Sequence, residues 1–357
     1  MKKTFEQLKP WRLIRDRTNA LRLDLNENIY APTKEVMRIL RTFNDETINV
    51  YPYYDRLLQA LSTYTGMPKH SILPTNGASQ AIIMAIRTLF NTDDNIVVPS
   101  PTFYPYYHFL ILEGTHIVPT YYTYEQSTAT WKFPFEETMH ALNGARGIML
   151  VHPNNPIGVA IPDNIIASLL REASKRDCYV VIDEAYIEFG GKPMHRFIRR
   201  YPKLIIIRTF SKFFGLSGLR LGYILARPEL INAFSKTVGP WDVNRFAVFA
   251  GTRCIEHVDE FYTIKNKITK SREDLYHFFK TRGIDTWRSE TNFLSIRTPS
   301  AKKILEGLAK KKILISNLSG YPYSQDLFKE ALRISIPIKK DLGIFKEEFE
   351  RIINSNT

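Results

Sequence analysis

Short apolar runs alternate with longer amphipathic segments between about residue 75 and residue 230. The runs at 96–98, 116–118, 147–151, 179–182, 204–207 and 222–225 are apolar and largely β-branched. Such runs are typical of strands that are buried on both faces of a parallel sheet. Amphipathic segments, for example residues 78–90 and 164–176, predict helices between them. The pattern predicts an α/β fold with a doubly wound, mainly parallel sheet, which binds ligands at the carboxyl ends of its strands.

The pattern changes at both ends of the chain. Residues 1–45 are polar and interrupted by proline, which predicts an N-terminal arm and part of a small domain. Residues 46–250 form the predicted large domain. Residues 251–357 combine a long charged helix at 257–282 with short strands and two further helices, which predicts a smaller α+β domain.

Composition and charge narrow the classes of function. The chain has 357 residues, of which 44% are hydrophobic and 24% charged, with a formal net charge of +13. The basic residues are scattered, and no run approaches the ~20 apolar residues of a membrane span. The two cysteines, Cys178 and Cys254, do not suggest a disulfide framework, and metal-ligand spacing is absent from the sequence. We expect a cytoplasmic protein that does not bind nucleic acid, a membrane or a structural metal.

The most informative segment follows the apolar run 204–207. Lys212 stands there between the hydroxyls of Thr209 and Ser211 and the guanidinium of Arg220, with glycines nearby. A buried ammonium costs several kcal/mol unless it is paired or neutralised, and a lysine that forms a Schiff base avoids this cost. Hydroxyl and guanidinium groups bind phosphate. The segment therefore predicts a site for pyridoxal 5′-phosphate (PLP), which carries an aldehyde and a phosphate.

Polar residues after two neighbouring strands fit the same cofactor. Asp183 follows the run 179–182 and precedes Tyr186, and Asn155 lies in a turn after the run 147–151. A single aspartate or asparagine in these places is usually only a cap or a turn residue. Next to a PLP site, Asp183 is expected to pair with the pyridine nitrogen and keep it protonated. Asn155 and Tyr186 are expected to donate hydrogen bonds to the ring oxygen.

Two further segments are interpreted in the same way. Gly77, Ala78 and Ser79 open the helix at 78–90, whose free N–H groups can hold a phosphate. Phe103 follows the run 96–98 and is the candidate to stack on the pyridine ring, with Tyr104 as the alternative. The alternative for Gly77, Ala78 and Ser79 is an ordinary helix N-terminus. The alternative for Phe103 and Tyr104 is a place in the core.

Arg333 lies inside an apolar run, Leu332 to Ile334, in the predicted small domain. An unpaired guanidinium is costly there. Arg333 therefore pairs with an internal carboxylate or binds the carboxylate of a ligand.

Taken in order, these motifs resemble those of the fold-type I PLP enzymes of aminotransferase class I/II, and most of all the histidinol-phosphate aminotransferase family. The matching segments span nearly the whole chain and include residues 25–28, 51–52, 76–78, 101–103, 153–156, 183–189, 208–212, 215–222, 292–293 and 332–334.

The resemblance implies a PLP-dependent transamination with 2-oxoglutarate as the expected acceptor. It implies that Lys212 carries the cofactor, that Asp183, Asn155 and Tyr186 hold its ring, and that a phosphate site is formed by Ala78, Ser79, Thr209, Ser211 and Arg220. Tyr51 would reach the phosphate of the partner subunit in a homodimer. Arg333, helped by Asn26 and Asn292, would bind the substrate carboxylate, and Trp11 would lie in an N-terminal arm over the site.

One segment departs from the family pattern. Family members that act on histidinol phosphate usually carry an arginine where this chain has Ser316 or Asn317. Losing that contact would weaken phosphate binding by about 2–3 kcal/mol unless Arg245 or Lys312 substitutes. The donor is therefore either histidinol phosphate-like or an aromatic amino acid. A PLP decarboxylase, lyase or cyclase is the alternative enzyme class, and a non-catalytic PLP-binding regulator or a nucleic-acid binder are the alternatives outside enzymes.

Overall fold

The computed structural model describes residues 16–43 and 49–355, together with Glu6 and Leu8. Its strands are β1 (Leu21–Leu23), β2 (Ile72–Thr75), β3 (Asn95–Ser100), β4 (His116–Tyr121), β5 (Thr123–Glu125), β6 (Thr130–Lys132), β7 (Gly147–Val151), β8 (Tyr179–Asp183), β9 (Leu204–Thr209), β10 (Gly222–Leu225), β11 (Asp285–Thr286), β12 (Phe293–Arg297), β13 (Ile313–Asn317) and β14 (Ala331–Ser335). Its helices are α1 (Lys34–Leu40), α2 (Asp55–Thr65), α3 (Gly77–Leu89), α4 (Tyr104–Glu113), α5 (Phe135–Ala141), α6 (Asp163–Lys175), α7 (Pro228–Ser235), α8 (Arg245–Glu256), α9 (Val258–Lys280), α10 (Ala301–Lys310) and α11 (Lys340–Asn354).

A seven-stranded sheet in the order β2-β10-β9-β8-β7-β3-β4 organises the larger part of the chain. β10 is antiparallel to both of its neighbours, and the other pairs are parallel. Alternate residues of the strands enter two apolar cores, so that Ile182 and Ile206 pack on one face and Val181 and Ile205 on the other. The predicted doubly wound, mainly parallel sheet is confirmed.

A smaller sheet in the order β1-β13-β14-β12-β11 contains the C-terminal strands. β1 pairs in parallel with β13, while the pairs among β13, β14, β12 and β11 are antiparallel. The N-terminal segment thus contributes an edge strand to the sheet formed by the C-terminal part. The domain limits after residues 45 and 250 stay predictions.

The strand β2 is absent from the sequence prediction. It contains Pro74, which lowers strand propensity, but β2 lies at the edge of the large sheet, where a missing N–H is tolerated. The hairpin of β5 and β6 and the helix α8 were also not predicted. Among the described helices, none combines the length and the apolar character that crossing a bilayer requires.

An aromatic cluster joins the hairpin of β5 and β6 to the small sheet. Trp131 on β6 packs edge-to-face against Trp287, with their ring centroids 5.0 Å apart. Phe328, which precedes β14, contacts both indoles at 6.0 and 5.3 Å. Trp287 is only 1% exposed. The hairpin β5–β6 is thereby fixed against the small sheet.

We expect Trp287→Ala to lower the free energy of unfolding by about 3–5 kcal/mol, because it leaves a cavity between Trp131 and Phe328. Denaturant unfolding followed by circular dichroism measures the change. Ile344→Ala is the control, since Ile344 is 38% exposed on α11. A loss for Trp287→Ala no larger than that of the control would show that the cluster does not fix the hairpin to the small sheet.

Candidate active site

A cavity of about 340 Å³ opens at the carboxyl ends of the parallel strands of the large sheet. Most of the side chains that the sequence singled out line it: Ala78, Ser79, Phe103, Asn155, Asp183, Tyr186, Thr209, Ser211, Lys212 and Arg220. It is also lined by Leu25, Glu27, Val151, Ala185, Ser217 and Gly218. The motifs converge because strand ends and helix starts meet at this edge of the sheet.

Lys212 follows β9 and is half-buried at the floor of the cavity. Its Nζ donates a hydrogen bond of 2.8 Å to the main-chain oxygen of Leu25 and lies 5.9 Å from the centre of the Tyr186 ring. Loss of water around the ammonium, together with the nearby charges of Arg333 and Arg220, lowers the pKa of Lys212 to about 8. A substantial fraction of a neutral, nucleophilic amine is therefore present near neutral pH.

Asp183 ends β8 and is almost fully buried. Tyr106 on α4 donates to its Oδ2 over 3.0 Å, and the backbone N–H of Ala185 donates to its Oδ1 over 2.9 Å. Burial raises the pKa of Asp183 to about 6, even though both hydrogen bonds favour the carboxylate. A cationic ring nitrogen is a suitable partner for such an anion.

The start of α3, Ser211 and Arg220 form a compact cradle beside Lys212. Gly77, with φ of +75°, begins α3, and a Cβ there would lie 2.6 Å from Nη2 of Arg220. A Cβ on Gly222 would lie 2.7 Å from the backbone nitrogen of Ala78. Nη1 of Arg220 lies 3.5 Å from Oγ of Ser211. Two glycines thus let a guanidinium and a helix N-terminus approach each other closely, which suits a phosphate dianion.

Tyr186 is held by the N-terminal segment. Nδ2 of Asn26 donates to the Tyr186 hydroxyl over 3.0 Å, and Nδ2 of Asn292 donates to the main-chain oxygen of Asn26 over 3.0 Å. Asn26 has φ of +55° and receives a further contact from Ser335 of β14. Burial raises the pKa of Tyr186 to about 12, so its hydroxyl keeps its proton. Asn26 and Asn292 are thereby placed beside the cavity without lining it.

Arg333 on β14 lies immediately behind Asn155. Its Nη1 donates to Oδ1 of Asn155 over 2.6 Å, and its Nη2 donates to the main-chain oxygen of Asp24 and to Oγ of Ser316 over 2.9 and 3.2 Å. Its Nε is buried without a hydrogen-bond partner. Within the described ranges, no carboxylate forms an ion pair with this guanidinium. Of the two sequence interpretations, the structure favours a guanidinium that is available to a ligand.

Several predicted residues lie elsewhere. Tyr51 is 69% exposed and stacks on Trp241, with the ring centroids 4.1 Å apart, away from the cavity. Arg245 lines a separate cavity of about 530 Å³, and Lys312 is exposed. Trp11 lies outside the described residues.

Of the two candidates for ring stacking, Phe103 lines the cavity and Tyr104 does not. The backbone N–H of Tyr104 donates instead to the hydroxyl of Tyr321 over 2.9 Å.

The sequence interpretation missed three contributors. Tyr106 is the hydrogen-bond donor to Asp183, but its aromatic run looks like ordinary core. Leu25 acts through its main-chain oxygen, for which a sequence contains no signal. Glu27 lines the cavity and forms an ion pair with Arg17. The sequence analysis includes it in the matching segment 25–28 but assigns it no role. In the described part of the chain, no three His, Cys, Asp or Glu side chains are grouped as a metal site.

The family model for aminotransferase class I and II matches residues 18–342. This chain belongs to that family. A histidinol-phosphate aminotransferase of Ruminiclostridium cellulolyticum is 28% identical over 339 residues, which cover 93% of this chain and 92% of that protein.

Solved structures of similar proteins have the same fold. The histidinol-phosphate aminotransferase of Sinorhizobium meliloti in complex with PLP has a TM-score of 0.88 at 21% identity, covering 100% of this chain and 98% of that one. The enzyme of Clostridium acetobutylicum has a TM-score of 0.83 at 25% identity, covering 93% and 99%. The chain is thus a PLP-dependent aminotransferase with the fold-type I architecture.

The aminotransferase cavity fits PLP on its own geometry. A lysine with a lowered pKa, a buried carboxylate and an anion cradle surround one space, and the glycines at 77 and 222 keep the cradle open. These are the groups that an aldehyde, a pyridine nitrogen and a phosphate require.

The lowered pKa of Lys212 predicts how the rate of PLP capture, the covalent binding of PLP by the cofactor-free aminotransferase, depends on pH. Only the neutral amine attacks an aldehyde, and with a pKa of about 8 roughly a tenth of it is neutral at pH 7. We expect the capture rate to rise about tenfold between pH 7 and pH 9.5 and then to level off. Rapid mixing that follows the protein-bound visible band measures the rate. A rate that still climbs steeply above pH 10 would show an ordinary, unperturbed lysine.

Proposed function

We propose that this aminotransferase transfers an amino group from an amino acid or amino-acid-like donor to a 2-oxo acid, with 2-oxoglutarate as the expected acceptor. The observation that carries the proposal is the arrangement of Lys212 and Asp183 around one cavity, with Arg333 directly behind it. The lysine supplies a base near neutral pH, and the arginine supplies a site for an anionic substrate group.

Each predicted residue has a proposed role toward the cofactor. Lys212 forms the covalent link, and Asp183 pairs with the ring nitrogen. Asn155 and Tyr186 bind the ring oxygen, Phe103 stacks on the ring, and the phosphate is held by Gly77, Ala78, Ser79, Thr209, Ser211 and Arg220. When bound, PLP withdraws electrons from the substrate carbon that loses its proton.

Lys212 also moves the proton of the reaction. The pKa of about 8 in the free protein indicates an amine that would accept a proton and return it during the reaction. The main-chain oxygen of Leu25 gives its Nζ a fixed acceptor at 2.8 Å. The Asp183 carboxylate supports the reaction by remaining ionised above a pH of about 6.

Arg333 is the proposed site for the substrate carboxylate. Its Nε is buried and unpartnered, and its Nη atoms contact only neutral oxygens of Asn155, Asp24 and Ser316. A buried cation with neutral partners gains from a carboxylate ligand. Asn26 and Asn292 would complete the substrate site, with Trp11 as the proposed cover.

Two donor classes are supported by different observations. The relatives at 26–28% identity carry the name histidinol-phosphate aminotransferase, which supports a histidinol phosphate-like donor. Ser316, in contrast, places an uncharged hydroxyl 3.2 Å from Nη2 of Arg333. Tyr321, whose hydroxyl is held by the backbone of Tyr104, adds aromatic surface near Arg333. These contacts support an aromatic donor without a phosphate.

We also propose a cytoplasmic homodimer with shared active sites. Val50, Tyr51, Tyr53 and Trp241 are 53%, 69%, 81% and 50% exposed, which is unusual for large apolar side chains. A second copy of the chain would cover them and would receive Tyr51 at its phosphate cradle.

The proposed function is tested by visible spectroscopy of the PLP-loaded protein with a panel of donors. The panel contains histidinol phosphate, phenylalanine, histidine and phosphothreonine. We expect the yellow band to bleach with one donor and to return when 2-oxoglutarate is added. Lys212→Ala is the control, and it should retain the fold but show no turnover.

Other spectroscopic outcomes separate the alternatives. A band that shifts with a donor but never bleaches would indicate a decarboxylase, lyase or cyclase. Near-normal turnover by Lys212→Ala would refute the role of the lysine.

We expect Arg333→Ala to lower kcat/KM by about 10- to 100-fold for both the donor and the 2-oxo acid, mainly through KM, because one charge-assisted contact is lost. Steady-state kinetics with each substrate varied in turn measure the effect. Arg297→Ala is the matched control, since Arg297 lies on the neighbouring strand and pairs with Asp285. An effect on only one of the two substrates would contradict a shared carboxylate site.

A further inference from the structure

An ion pair is buried behind the active site, and none of the roles above uses it. Nη2 and Nε of Arg208 lie 2.7 and 2.8 Å from Oε2 of Glu184. The two side chains are 5% and 0% exposed. Arg208 belongs to β9, and Glu184 is the first residue after β8.

The pair is adjacent in sequence to the residues that hold the cofactor, but it lies on the other face of the sheet. Asp183 precedes Glu184, and Thr209 follows Arg208. Side chains alternate along a strand, so Arg208 shares the face of Ile206, whereas Thr209 shares that of Ile207. The pair can therefore act on the cofactor site only through the backbone or through its charge.

The ion pair links β8 and β9 beyond the last backbone hydrogen bond between them. The register of β8 and β9 ends at Asp183 and Ile207, where the N–H of Glu184 donates to the oxygen of Ile207 over 2.8 Å. Past that point, the carboxylate and guanidinium are the contact between the two chain segments that continue to Tyr186 and Lys212. The pair therefore lies where the chain segments of the proposed ring-binding and covalent residues leave the sheet.

The surroundings of the pair fix both side chains. The backbone N–H of Met194 donates to Oε1 of Glu184 over 2.5 Å, and Nη2 of Arg208 lies 2.9 Å from Nδ1 of His195. Tyr223 on β10 is the register partner of Arg208. Glu188, whose Oε1 accepts from Tyr64 of α2 over 3.2 Å, is a further charge that acts on Arg208.

Stability alone does not account for such a pair. Two charges lose their hydration on burial, and replacing a buried pair by apolar residues is often neutral or stabilising. A pair that only held the core together could thus be dispensed with. Its position next to Asp183 and Thr209 points instead to a role at the proposed cofactor site.

We propose that Glu184 and Arg208 are positioning residues of the aminotransferase, which set the distance between Asp183 and Lys212 and balance the charge behind Asp183. The proposal rests on the proposed roles of Asp183 and Lys212. Burial, followed by smaller effects that include the Glu184 carboxylate, sets the raised pKa of Asp183. The guanidinium compensates the Glu184 charge, so that Asp183 does not face a second uncompensated anion.

Charge and geometry are separated by four variants. Arg208→Met leaves an uncompensated anion, and Glu184→Gln leaves an uncompensated cation. Arg208→Lys keeps the charge but not the two-pronged contact, and the double variant Glu184→Gln/Arg208→Met removes both charges. The readouts are the dissociation constant of PLP, kcat and KM, and the pH midpoint of the visible absorbance change of bound PLP.

We expect the midpoint to move to higher pH in Arg208→Met and to lower pH in Glu184→Gln, because the charge behind the site changes in opposite directions. In Arg208→Lys and in the double variant the midpoint should return toward that of the wild type. PLP binding should still be about tenfold weaker, and kcat about 10²-fold lower with little change in KM, because the geometry is lost. Should Arg208→Met not fold, Glu184→Gln against Arg208→Lys still separates charge from geometry, because only Glu184→Gln should move the midpoint to lower pH.

Asp285→Asn is the matched control, because it breaks the ion pair with Arg297 in the small sheet and should leave all three readouts unchanged. Midpoints that move in the same direction in Arg208→Met and Glu184→Gln would overturn the charge role. PLP binding within twofold of the wild type in both Arg208→Lys and the double variant would overturn the positioning role. A wild-type protein in which bound PLP forms no covalent link to Lys212 would instead refute the proposed function.

Discussion

The active site depends on residues 24–26, where the N-terminal segment of the chain crosses the carboxyl end of the large sheet. The main-chain oxygens of residues 24, 25 and 26 accept hydrogen bonds from Arg333, Lys212 and Asn292, respectively. A main-chain oxygen is uncharged and cannot be lost by substitution of the side chain. The two sheets are thus joined at the site by uncharged acceptors, so these contacts of lysine and arginine are hydrogen bonds and not ion pairs.

The pKa values of Lys212 and Asp183 explain why the proposed chemistry fits neutral pH. Lys212 lies near Arg333 and Arg220, and burial together with these cations lowers the pKa of Lys212 to about 8. Burial raises the pKa of Asp183 to about 6. Between these two values the carboxylate is ionised while part of the lysine is neutral, which is the pair of protonation states that the proposed roles require.

The sequence was sufficient for the elements that carry their own signal. Apolar runs predicted β3, β4 and the strands from β7 to β10, and polar residues after those runs predicted Asp183, Asn155 and Lys212, since the carboxyl ends of parallel strands meet at one edge. β2 was missed because Pro74 is tolerated only at an edge position, which is a property of the sheet and not of the segment. Tyr106 and the oxygen of Leu25 were missed because their contacts join residues that are 77 and 187 positions apart.

Ser316 determines the charge of the surroundings of Arg333. Its hydroxyl accepts from Arg333 and donates to the main-chain oxygen of Asp24 over 2.5 Å, so it connects β13 to the N-terminal crossing. A second arginine at this position would place two cations side by side and would need a dianion to compensate them. With serine, the Nη atoms of Arg333 contact only neutral oxygens, and its Nε is buried without a partner. A single carboxylate, which every 2-oxo acid and every amino acid provides, would therefore match the charge of Arg333 in the proposed substrate site.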